Sequence, residues 1–166
     1  MFQIKAAYDG QVEVKATAER VRAFFYDWRN FVELMPGVEK ITAEAGGVMR
    51  WLIRADVPVI GAIRQSFAVA QSENGPKRIE WSPAAHEKKN LLRYTAQFEE
   101  RDAQEGMLVR IEQRVELRRQ HARELHMLAG LMGETRLSAE MQKGVTEMMR
   151  TFLQRARAKL ENQARS

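Results

Sequence analysis

The segment from Ser138 to Asn162 constrains the fold most. Met141, Val145, Met148, Met149, Phe152, Leu153, Ala156 and Leu160 recur at steps of three and four, the repeat of one helical face. Ser138 stands where an N-cap belongs, Glu140 lies in the first turn, and Arg155, Arg157 and Lys159 lie near the other end. Those charges suit the helix dipole. Gly144 is the weak position, at about 1 kcal/mol relative to alanine. At 1.5 Å per residue the helix would be roughly 37 Å long. So long an apolar stripe needs an apolar partner of like length. Nearly everything before it reads as β-strand, so the partner is expected to be a sheet.

The first strand is the clearest. Ile4, Ala6, Tyr8, Val12 and Val14 share one parity while Lys5, Asp9, Glu13 and Lys15 share the other, with Gly10 the weak point. Thr17 then caps a short helix, AERVRAFFYDW, with Val21, Phe24, Phe25 and Trp28 expected inward. A second short helix, NFVELM, is stopped by Pro36-Gly37. From Val38 onward, strand signals alternate with turns. These are VEKITAEA, VMRWLIRADV, AIRQSFAVAQS, KRIEWS, LLRYTAQFEE and MLVRIEQRVEL. Each has one polar face, which predicts an antiparallel sheet with one side in water. The fold class expected is α+β: a seven-stranded antiparallel sheet, two short helices after the first strand, and a long C-terminal helix. The connection from Arg118 to Leu137, apolar in its second half (LHMLAGLMG), reads equally as loop, short extra helix or early start of the long one.

This order of elements resembles the START-like (SRPBCC, helix-grip, birch-pollen-allergen-like) superfamily, in which a curved sheet wraps the C-terminal helix. Phe31-Val32-Glu33-Leu34-Met35-Pro36-Gly37-Val38-Glu39-Lys40-Ile41 looks like the Pro-Gly-Val entry to the second strand of members similar to the G subunit of carbon monoxide dehydrogenase. Gly61-Ala62-Ile63, with Phe67 four residues on, looks like their third-to-fourth strand hairpin. The likeness runs from about residue 2 to residue 162 and extends to polyketide cyclase-like members. It implies one START-like ligand-binding domain over residues 1–166. The motifs are structural, and no catalytic motif comes with them. The long, proline-free connection from Arg118 to Leu137 departs from the pattern.

A curved sheet and a straight helix cannot touch along their whole length, and the gap is an apolar cavity. The large inward residues expected to wall it are Tyr8, Trp51, Phe67, Trp81, Tyr94 and Phe98 from the sheet, and Met148, Met149 and Phe152 from the helix. Val145 and Leu153 are expected nearer the packed core. For any one of them plain core is the more ordinary reading, because an aromatic on an inward phase commonly just fills the interior. Gln65, between Ile63 and Phe67, and Gln113, between Ile111 and Val115, interrupt inward phases and are more informative. A buried amide must find partners. Both glutamines could orient a ligand oxygen, or a bulge could turn them outward, or an internal hydrogen bond could satisfy them.

Zero cysteines exclude a disulfide framework and a thiolate metal site. No P-loop, GxSxG, HExxH or dinucleotide fingerprint occurs. His86, His121 and His126 do not share a helical face, so neither a metal nor another cofactor is implied. Net charge is +5, with the densest basic run at Arg118-Arg119-Gln120-His121-Ala122-Arg123. Without interleaved aromatics or a recognition helix, nucleic-acid binding is disfavoured. The start, MFQIKAAYDG, lacks a signal layout, and no apolar run approaches the ~18 residues of a membrane span. A cytoplasmic location is the expectation. The function expected is binding or carriage of an apolar or amphipathic small molecule: a lipid, quinone or polyketide-like compound. Two alternatives stay open. One is a polyketide cyclase/dehydrase-type enzyme. The other is an accessory interaction protein that meets an enzyme or a membrane surface through Arg118 to Gly133.

Overall fold

The computed structural model describes residues 1–101 and 106–165. Its order is β1 (Phe2–Val14), α1 (Ala18–Tyr26), α2 (Trp28–Leu34), β2 (Val38–Ala43), β3 (Val48–Val57), β4 (Gly61–Asn74), β5 (Arg78–Pro83), β6 (Asn90–Arg101), β7 (Gly106–Arg119) and α3 (Ala129–Arg165). The strands form one seven-stranded antiparallel sheet, ordered β1-β7-β6-β5-β4-β3-β2. Hairpins link β2 through β7 in sequence order, and the last strand returns to β1. The first and last strands of the chain therefore lie side by side, in unbroken register from Phe2 opposite Arg119 to Val14 opposite Met107. No helix of the described residues is long and apolar enough to cross a membrane.

The period-two pattern decides which side of the sheet is dry. Along β7, Met107, Val109, Ile111, Gln113, Val115, Leu117 and Arg119 are buried, while Arg110, Glu112 and Arg114 face solvent. Helix α3 lies across the dry face with Val145, Met149, Phe152, Leu153, Ala156 and Leu160 buried, the stripe read from the sequence. Its start differs from that reading. The helix begins well before Ser138, whose hydroxyl instead accepts the Lys5 amide of β1 at 3.4 Å. At Gly133 (φ 78°, ψ 167°) the helical path is interrupted, a conformation that glycine adopts without a Cβ penalty. The connection after β7 thus contains a short 3-10 turn at Ala122–Glu124, one helical turn, a break, and an early start.

Helix α3 also covers the outer edge of β1. The backbone amides of Gln3, Lys5 and Ala7 donate to the side chains of Glu134, Ser138 and Gln142, and Gln142 Nε2 donates back to the Ala7 carbonyl at 2.7 Å. Four helical residues rise about 6 Å and two strand residues about 6.6 Å, so the two ladders stay in step. An exposed strand edge is a template for unwanted pairing, and these side chains occupy it.

Helices α1 and α2 share Asp27. It ends α1 and accepts the Arg29 amide at 3.0 Å as the N-cap of α2. Val21, Phe24 and Phe25 of α1 and Phe31 of α2 are buried. Trp28, expected inward on α1, opens α2 instead and is 36% exposed, because the chain turns at Asp27 before a further inward position is reached.

Candidate ligand-binding site

Helices α1 and α2 divide the space between sheet and α3 into two unlike halves. In one, Phe31 fills the gap. Its ring lies 5.3 Å from Trp51, 5.2 Å from Tyr94 and 5.3 Å from Phe152, centroid to centroid. Phe25 stands edge-on to Phe152 at 6.0 Å and tilts against Phe98 at 6.1 Å. This half is close-packed aromatic core. Beyond the reach of α1 and α2 nothing fills the gap, and a cavity of about 640 Å³ remains. That is within the usual range of ~300–1,000 Å³ for small-molecule sites.

The division sorts the residues read from the sequence. Gln65, Phe67, Gln113 and Met148 line the cavity together. Trp51, Trp81, Tyr94, Phe98, Met149 and Phe152 are buried outside it. For Trp51, Tyr94, Phe98 and Phe152 the physical reason is Phe25 and Phe31, side chains that no reading of strand or helix phase placed there. Tyr8 is half-buried and also outside the lining. Its ring lies over Gly10, where an added Cβ would collide with the phenol oxygen. On α3 the expected roles are exchanged: Val145 lines the cavity, and Phe152 is packed core.

Sequence reasoning missed much of the apolar wall. Ile4 of β1, Val115 and Leu117 of β7, Leu125, and Leu137 and Met141 of α3 all line it. Their phases were legible, but small aliphatic residues on an inward phase carry no sign of a void. The rim is polar. Arg54 and Asp56 pair at 3.1 Å on β3, and Glu140 and Glu147 stand on the α3 side. Gly144 lies between those two glutamates, and a Cβ there would meet nothing within 4 Å.

Inside, the polar features are few. Gln113 is 1% exposed, and neither its Nε2 nor its Oε1 has a hydrogen-bond partner in the protein. It stands in a line across the sheet: Gln71, Trp81, Tyr94, Gln113 and Tyr8 are successive cross-strand partners on β4, β5, β6, β7 and β1. Gln71 Nε2, Trp81 Nε1 and the Tyr94 hydroxyl are also buried and unpartnered. Native proteins satisfy nearly all such groups. Burial pushes the Tyr94 phenol up, out of reach as an acid or base near neutrality. Gln65, at the other end of the cavity, accepts at Oε1 from Asn90 Nδ2 at 3.1 Å and from Arg119 Nη2 at 2.8 Å. Among the described residues no cluster of His, Asp or Glu could hold a metal ion.

The model of a family described as polyketide cyclase / dehydrase and lipid transport matches residues 5–161. No curated protein matches the chain in sequence. Among solved structures, the di-domain ARO/CYC StfQ from the steffimycin biosynthetic pathway is similar at TM-score 0.66 and 14% identity. The match covers 98% of this chain and 53% of StfQ, so the chain spans about half of that protein. The Zhui aromatase/cyclase from Streptomyces sp. R1128 is similar at TM-score 0.58 and 16% identity, covering 92% of this chain and 93% of that one. TTHA0849 from Thermus thermophilus gives TM-score 0.58 and 18% identity, covering 92% and 98%. At these identities the likeness is one of fold.

Proposed function

The chain belongs to the polyketide cyclase / dehydrase and lipid transport family, whose helix-grip fold it has, and on that premise we propose that it binds and carries an amphipathic small molecule in the cavity between β7, β4 and α3. The observation that carries this reading is Gln113. A buried primary amide with two donors and an acceptor left unmet costs free energy unless something enters to meet them. The cavity that Gln113 lines has room for such a partner. A carbonyl, hydroxyl or quinone oxygen on an otherwise apolar body fits both the amide and the aliphatic wall around it.

Binding is favoured over catalysis by where the titratable groups lie. An acid or base in a cyclisation or dehydration must come within hydrogen-bond reach of the reacting atoms. The carboxylates that line the cavity, Asp56, Glu140 and Glu147, belong to its rim, and Asp56 is tied to Arg54. The rest of the lining near mid-sheet is apolar, with Val115, Phe67 and Val145 among the cavity residues, none of which moves a proton.

The test uses a neutral apolar dye, Nile red, as probe. The wild-type chain should bind it with an enhanced, saturable fluorescence. Gly144→Phe, which replaces a weak helix former and points a ring into the open lining, should fold and lose that signal. Dye binding that is absent in the wild type, or undiminished in Gly144→Phe, would remove the cavity as the site.

A further inference from the structure

Arg119 is the one charged side chain buried among the described residues, at 8% exposure. It ends β7 on the same face as Leu117 and Val115, both of which line the cavity. The guanidinium donates through Nη1 to the carbonyls of Arg118 at 2.8 Å and Lys89 at 3.3 Å, and through Nη2 to Gln65 Oε1 at 2.8 Å. Every one of these acceptors is neutral. Less buried arginines of this protein show the opposite habit: Arg50, Arg64, Arg78 and Arg118 each hold a carboxylate. Burial draws the pKa of Arg119 down, and Glu124 and Glu87 offset this only through space, without an ion pair. An arginine does not lose its proton in a protein, so the charge stays and lacks a counter-ion.

Arg119 does not itself line the cavity, but its neighbours connect it to the ligand site. Gln65 is the link, since its side chain lines the cavity while its Oε1 takes the Arg119 hydrogen bond. Leu117 precedes Arg119 by two residues and Leu125 follows the 3-10 turn after it, and both line the same end. Asn90, which also donates to Gln65 Oε1, keeps a buried Oδ1 without a partner, so the hydrogen bonding at this end is incomplete within the protein.

Resting on the carrier reading above, we infer that the ligand is an anionic amphiphile whose carboxylate or phosphate oxygens are received by Arg119 and Gln65. The anion replaces Gln65 Oε1 as the acceptor of the Nη2 proton, and the freed glutamine amide donates to it through Nε2. Six strand residues separate Arg119 from Gln113, about 20 Å at 3.3 Å per residue. The ligand's charged head and its mid-chain oxygen are therefore held at opposite ends of the aliphatic wall. A planar guanidinium gives directional, charge-assisted bonds to an anionic oxygen that a hydroxyl cannot match.

The experiment is displacement of Nile red at neutral pH by dodecanoate, dodecyl phosphate and dodecanol, whose alkyl chains are equal. In the wild type at least one anion should displace the dye at a concentration about 10-fold or more below dodecanol, the scale of a charged hydrogen bond. Arg119→Gln should bring that ratio to about 1 while leaving dodecanol unchanged. Equal displacement by anions and alcohol in the wild type overturns the anion site and leaves the cavity standing. A wild type that takes up no dye overturns the carrier reading itself. A preference that survives in Arg119→Gln assigns the anion to another residue and also overturns the inference. Should Arg119→Gln fail to fold, the wild-type ratio and its loss in Gln65→Leu decide the matter.

Discussion

Truncating two residues four apart on one helix should have unlike consequences, because one faces packed rings and the other faces space. Phe152 is 0% exposed, with Phe31 at 5.3 Å and Phe25 at 6.0 Å, both edge-on. Phe152→Ala removes a ring from a close-packed site, at about 3 to 5 kcal/mol including the void left behind. Two lost aromatic contacts bring the expected cost to the upper part of that range. Against a typical stability of ~5–15 kcal/mol this is a large share, and at ~2–4 °C per kcal/mol the melting point should fall by roughly 8–20 °C. Met148 lines the cavity and is half-buried, so it has partners on only part of its surface. Met148→Ala should cost about 1 kcal/mol, a fall of roughly 2–4 °C, and should enlarge the cavity. Thermal unfolding followed by circular dichroism, paired with Nile red binding, reads both effects. Phe152→Ala should lower the melting point and leave the dye site, while Met148→Ala should alter the dye site with little change in melting. Equal destabilisation by the two substitutions would mean that no cavity adjoins Met148, and the division of the interior by α1 and α2 would be wrong.

Gln113→Leu should leave the unliganded protein unchanged or raise its stability by about 1–3 kcal/mol, since it removes two unmet buried groups, and should weaken retention of a polar amphiphile. Chemical denaturation and ligand release measure the two halves. Gly10→Ala should destabilise by about 1–3 kcal/mol through collision with the Tyr8 ring, and Tyr8→Ala in the same chain should recover most of the loss. Asp27 is held below its ordinary carboxylate value by its hydrogen bonds and charge pairing with Arg29. Its folded pKa is therefore depressed, so its contribution is present above the unfolded value near 3.8 and is lost as pH falls through the folded value. Asp27→Asn should flatten the loss of stability below about pH 4 in an acid titration of the melting point.

Periodicity made the sheet and the long helix legible, because a strand's two faces and a helix's one stripe are written in alternation and in steps of three and four. It gave the parity of β1 and β7, the stripe of α3, and the inward phase of Gln65 and Gln113. It could not say which part of an inward face is covered. Met148 and Phe152 belong to one stripe, and what separates them is Phe31, brought by the fold from far earlier in the chain. The connection after β7 resisted reading for a local reason: Gly133 breaks a helical pattern that its neighbours would otherwise continue. Arg119 was hidden by its neighbours. Within Arg118-Arg119-Gln120-His121-Ala122-Arg123 it reads as one more surface cation. Yet Val115, Leu117 and Arg119 share a parity, and that phase was the available sign that one of the cluster points inward.

Native mass spectrometry of the purified chain incubated with a mixed extract of lipids reads occupancy of the cavity itself. A cavity that carries ligand should give a non-covalent complex of one small molecule per chain, released when the protein is unfolded and missing from Gly144→Phe under the same conditions. A folded wild-type chain that retains only its own mass, or a Gly144→Phe variant that carries the same molecule undiminished, would contradict it.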